Sequence, residues 1–93
     1  MVARSTNKLK SALLKKGFVM TRSHHLQFRL VIDNAPQQIF TFLSHGSKEY
    51  GDFLLGIVAR QLHLSKQELL SFVDCEMSGG VYLALMQERG HIA

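Results

Sequence analysis

Apolar and polar positions repeat along this chain with two different periods. Leu26, Phe28, Leu30 and Ile32 alternate with His25, Gln27, Arg29 and Val31, the period of a strand with one buried face. Phe18 to Thr21 is a shorter run of β-formers, and Gln37 to Leu43 is a longer one containing Ile39, Phe40, Thr41 and Phe42. Arg22-Ser23 and Asp33-Asn34-Ala35-Pro36 sit between these runs and read as turns. The spacing therefore predicts a three-stranded antiparallel meander.

The remainder carries the helical period. Ser5 or Thr6 is placed to cap a helix over about 7–16, with Leu9, Ala12, Leu13 and Leu14 on its apolar side. Gly17 stands where a left-handed cap ends it. Ser47 is placed to cap a longer helix whose stripe is Tyr50, Phe53, Leu54, Ile57, Val58 and Leu62. Gly51 and Gly56 within it imply a close packing contact, since Gly inside a helix otherwise costs about 1 kcal/mol relative to Ala. Ser65 and Glu68 have capping-box spacing and open a third helix to about Asp74. A last run, Val81 to Glu88, ends at Gly90. Its apolar residues, Val81, Tyr82, Leu83, Leu85 and Met86, serve either to complete the core or to form a homodimer contact.

Helix, three strands and helix, with two short helices appended, make an α+β fold: a two-layer sandwich with helices on one face of the sheet. The expectation is a single domain over 1–93, with a core over about 5–64 and a helical extension over about 65–90. Phe28, Phe40, Phe42 and Phe53 are assigned to the sheet–helix interface. No apolar run reaches the roughly 18 residues of a membrane span, and the basic start lacks the apolar stretch of a signal peptide. Cytoplasmic location is expected, without a membrane partner. One cysteine excludes an internal disulfide framework and a cysteine-based zinc finger.

Charge changes this picture. Residues 1–32 hold Arg4, Lys8, Lys10, Lys15, Lys16, Arg22 and Arg29 without a single Asp or Glu, whereas the rest of the chain is net acidic. Such a separation draws polyanions, because each phosphate neutralised releases condensed counterions. Lys8, Lys15, Lys16, Arg22 and Arg29 are the candidate RNA-binding cations; a solvated basic helix face is the plainer alternative.

The order of elements and the residues at their joints resemble the HicA-type toxins, small ribonucleases of HicA–HicB toxin–antitoxin pairs. The matching stretches are Leu14-Lys15-Lys16-Gly17-Phe18, Arg22-Ser23-His24-His25 entering the second strand, and Ser44-His45-Gly46-Ser47-Lys48-Glu49 leading into a helix that ends before Leu64-Ser65. The likeness covers about 7–70, and Ser23-His24 is its most specific element. Arg22 stands where such toxins usually have glycine, Leu43-Ser44 where they usually have proline, and the chain beyond Ser71 exceeds the minimal toxin. The resemblance implies a fold like a double-stranded-RNA-binding domain. It further implies endoribonuclease activity on mRNA and a cognate HicB-like antitoxin. The catalytic histidine of the Ser-His pair falls on His24.

Metal-independent RNA cleavage needs a base for the 2′-hydroxyl, an acid for the leaving 5′-oxygen and cations for the phosphorane. Imidazole, with an ordinary pKa of about 6.5, serves in either of the first two roles. Alternation puts His25 with Gln27 and Arg29 on the polar face and His24 with the buried residues, so periodicity favours His25 where the resemblance favours His24. His45 is a third candidate, with a capping role equally open to it. His63 and His91 read as surface residues at helix ends. No metal or other cofactor is expected, because adjacent histidines diverge and Cys75 lies far along the chain. Asp74 and Glu76 beside Cys75 disfavour its thiolate, which leaves it as a small packing residue. The competing function class is a non-catalytic RNA-binding or protein-interaction module. A duplex binder would want a lysine cluster at the start of the second long helix, which has only Lys48 beside Glu49.

Overall fold

Ser5 starts the first helix as its spacing requires, its side chain accepting a hydrogen bond from the Lys8 backbone N–H. The computed structural model describes residues 3–44, 46 and 48–93. Its elements are β1 (Arg4–Ser5), α1 (Thr6–Lys15), β2 (Phe18–Arg22), β3 (Leu26–Ile32), β4 (Ala35–Leu43), β5 (Glu49–Tyr50), α2 (Asp52–Gln61), α3 (Lys66–Val73) and α4 (Gly79–Glu88). Gly17 adopts φ +96°, the left-handed conformation that releases the chain from α1 into β2.

The main sheet is antiparallel in the order β2-β3-β4. Asp33 and Asn34, at φ 49° and 67°, form the tight turn between β3 and β4. The last strand accordingly begins at Ala35, ahead of the expected Gln37, with Pro36 tolerated because β4 is an edge strand. Phe18, Leu26, Phe28, Leu30, Ile39, Thr41 and Leu43 are buried. The helices cover this face: the Phe18 ring meets Phe72 of α3 and Tyr82 of α4 at centroid distances of 6.2 and 5.8 Å.

Several expectations need correction. The helix expected after Ser47 begins only at Asp52, with Gly51 as its N-cap, because Glu49–Tyr50 pairs with Arg4–Ser5 as a second small sheet. Ser47 itself lies outside the described residues. The buried stripe of α2 is Leu55, Val58 and Ala59, continued by Leu62, so Phe53 points outward and is 79% exposed. A Cβ on Gly51 would meet nothing within 4 Å, and one on Gly56 only the Lys66 side chain, so neither marks a backbone approach. The close approach is at Gly79, where a Cβ would sit 3.4 Å from the Lys16 Cα.

The C-terminal helices complete the core. Leu69, Phe72, Val73, Met77, Tyr82 and Met86 belong to the same buried cluster as Leu9 and Phe28, and the Tyr82 hydroxyl donates to the Leu62 carbonyl at 2.9 Å. Ser65 and Glu68 form the expected capping box. Cys75 is exposed rather than packed, at φ +64° in the chain reversal after α3. No helix among the described residues is long and apolar enough to cross a membrane.

Candidate functional site

Arg22 pairs with Leu26 across the β2–β3 hairpin, so Ser23, His24 and His25 are its loop. His24 is the middle residue of that loop and not a strand residue, which removes the parity argument that would have buried it. All three loop residues are exposed. The loop closes on itself, with the Ser23 backbone N–H donating to the His25 carbonyl at 3.2 Å.

His25 lies against the solvent side of the sheet, its ring edge-on to Phe42 at 6.3 Å. Register places Val19, Arg29 and Phe40 in one row across that face, and Thr21, Gln27 and Phe42 in the next. Phe40 and Phe42 meet edge to face at 5.5 Å. The Arg29 guanidinium lies 4.6 Å above the Phe40 ring, and its Nη1 donates to the Gln37 carbonyl at 2.8 Å. Phe40 and Phe42 do not join the sheet–helix interface expected of them: β4 buries Ile39, Thr41 and Leu43 and turns both phenylalanines to the other side. Thr41 is accommodated because its hydroxyl donates to Gln61 Oε1 of α2.

A cleft of about 450 Å³ opens between the end of β4 and α2, with His25 and Phe42 on one wall and Tyr50, Leu54, Ile57 and Gln61 on the other sides. The Tyr50 hydroxyl accepts the Ser44 backbone N–H at 2.9 Å and fixes this corner.

The sequence-derived cations divide. Arg22 and Lys15 are exposed, and Arg29 stands on the open sheet face. Lys8 is tied to Asp74 at 3.1 Å, alongside Arg4, whose guanidinium donates twice to the same carboxylate. Lys16 is only 7% exposed; its Nζ donates to the Phe72 carbonyl and stands 4.6 Å over the Phe72 ring. Burial lowers its pKa. As an RNA contact Lys16 is corrected to a structural residue, because its charge is taken out of solvent between α1 and α3.

His45 lies outside the described residues. His63 and His91 stack at 3.8 Å, and burial, with His91 alongside, pulls the His63 pKa down. No group of three or more His, Cys, Asp or Glu side chains converges as a metal site among the described residues. Sequence reasoning missed Phe40, Phe42, Val19 and Gln61. The one available signal was Thr41 between two phenylalanines, and it does not say which side faces the helices. Comparison with protein-family models, curated proteins and solved structures finds no match to this chain.

Proposed function

We propose that this protein is a toxin-like endoribonuclease of the HicA type, cutting mRNA by attack of the 2′-hydroxyl and neutralised by a HicB-like antitoxin. The observation that carries the reading is the exposed Ser23-His24-His25 hairpin loop beside a sheet face bearing Arg29. The succession of α1, β2, β3, β4 and α2 supports a fold like a double-stranded-RNA-binding domain. The excess of cations supports an acidic antitoxin surface as the neutralising partner.

His24 is the first candidate for the catalytic imidazole and His25 the alternate. One imidazole takes the 2′-hydroxyl proton as that oxygen attacks the adjacent phosphorus. A 2′,3′-cyclic phosphate forms, and the bond to the 5′-oxygen breaks. A protonated imidazole or water supplies the proton that the leaving oxygen needs. Arg22 and Arg29 offset charge on the phosphorane.

The test is incubation of the purified protein with a structured mRNA in EDTA. Cleavage is expected, and His24→Ala is expected to slow it by about 10²–10⁴-fold, the usual contribution of a general acid or base. Its far-ultraviolet circular dichroism should stay unchanged, since His24 is exposed. Full activity in His24→Ala with loss in His25→Ala moves the role to His25. Retardation of RNA in a gel without cleavage by the wild type would replace this reading with the non-catalytic binding module.

A further inference from the structure

A strand that buries threonine and shows two phenylalanines inverts the usual preference. Pairing with β3 fixes that choice: the register puts Phe40 beside Arg29 and Phe42 beside Gln27, on the side away from the helices. Val19 is 53% exposed and Phe42 40% exposed on that side of the sheet, Phe42 at its margin, where it also forms one wall of the cleft beside α2. β2, β3 and β4 hold no Asp or Glu, and Arg22 and Arg29 are their only formal charges.

We infer that this open face is a stacking platform for single-stranded RNA, in which the Phe42 ring takes one unpaired base and the Arg29 plane its neighbour. The inference rests on RNA being the substrate and adds which form of RNA is held, and where. Arg29 is preorganised for the role: Phe40 supports its plane from below and the Gln37 carbonyl holds one of its N–H groups. A planar guanidinium so held stacks on a base and offers its other N–H groups to phosphate. His25 touches the edge of Phe42, so a base on that ring brings its own ribose to the histidine loop. Bases inside a duplex already stack on each other and have no face to give, whereas splayed single-stranded bases stack on aromatic rings. An interface with a second copy would have to bury the cationic Arg29 face against itself, which charge opposes.

Binding is measured by fluorescence anisotropy on the full chain, with a labelled 2′-O-methyl RNA of about 12 nucleotides. That RNA has no 2′-hydroxyl to react, so binding is separated from cleavage. The same RNA annealed to its complement is the comparison. The single strand is expected to bind at least about 10-fold tighter than the duplex. Phe42→Ala should weaken single-strand binding by about 5- to 100-fold, the range for losing one stacked base, and leave duplex binding unchanged. Phe42→Trp should restore affinity; Phe42→Leu, which keeps apolar bulk without a ring, should not. A Phe42→Ala protein binding single strand within about twofold of wild type would overturn the inference. So would a preference for duplex, or a wild-type dimer in ultracentrifugation that Phe42→Ala dissociates without loss of RNA affinity. Natural RNA cut equally well by wild type and Phe42→Ala removes the platform and leaves the ribonuclease reading standing; ring-dependent binding without any cleavage does the reverse.

Discussion

Lys15 and Lys16 are neighbours with opposite fates. Lys15 extends into solvent at the end of α1, while Lys16 turns under α3 and donates a hydrogen bond to the Phe72 carbonyl. A cation can contribute counterion release only if it can reach a phosphate. Lys16→Met is therefore expected to leave RNA affinity and its salt dependence unchanged. Arg22→Gln, at an exposed position beside the histidine loop, should flatten the slope of log K against log salt by about 0.7–0.9, the value for one phosphate contact. Anisotropy titrations at several salt concentrations check both. An equal change in both variants would mean that charge acts through the whole molecule and not through contact.

At the scale of elements, α2 shows how a small sheet resets a helix. Once Glu49–Tyr50 is held by β1, the helix can begin only after Gly51, and the inward set becomes Leu55, Val58, Ala59 and Leu62. Leu55 is completely buried, and Leu55→Ala is expected to cost about 2–5 kcal/mol through lost burial and the cavity left. Phe53→Ala should stay within about 0.5 kcal/mol despite removing the larger side chain, because Phe53 is already in water. Urea denaturation of the two variants measures this directly, and the reverse order would contradict the register of α2.

The molecule as a whole is fastened at its edges by two carboxylates. Arg4, with Lys8, holds the Asp74 pKa down to about 2, tying the start of the chain to the end of α3. Arg89, with the Ser65 backbone, holds Glu68 down to about 2, tying the end of α4 to the start of α3. Both groups bind protons more readily unfolded than folded, so stability rises with pH across this window. Their contribution is complete above about pH 4.5 and is lost as pH falls toward 2. His63 acts in the same sense at higher pH: its folded pKa is lowered from 6.5, so its protonation favours unfolding as pH falls below that value. The denaturation midpoint is expected to fall on acidification below pH 4.5, and less steeply in Asp74→Asn. An unchanged acid slope in Asp74→Asn would show that the Arg4 contact does not supply it.

Local chemistry determined where most of the elements begin and end, the start of α2 excepted. Ser5, Gly17, the Asp33-Asn34 turn, the Ser65–Glu68 box and Gly90 act on their own neighbours through backbone hydrogen bonds and positive φ, so they are readable one residue at a time. Alternation along β3 likewise named its buried side, because the other side carries Gln27 and Arg29. Only tertiary structure could decide β4, where both sides are apolar and pairing with β3 exposes the phenylalanines. Nor could a chain read in one dimension show that Asp74 takes up Arg4 and Lys8, or that Lys16 is enclosed. The partners that neutralise or bury these cations lie more than fifty residues away in sequence, and only packing of α3 against α1 brings them together. His24 follows the same rule, since its exposure depends on whether the hairpin loop or the strand claims it, and the Arg22–Leu26 pair settles that.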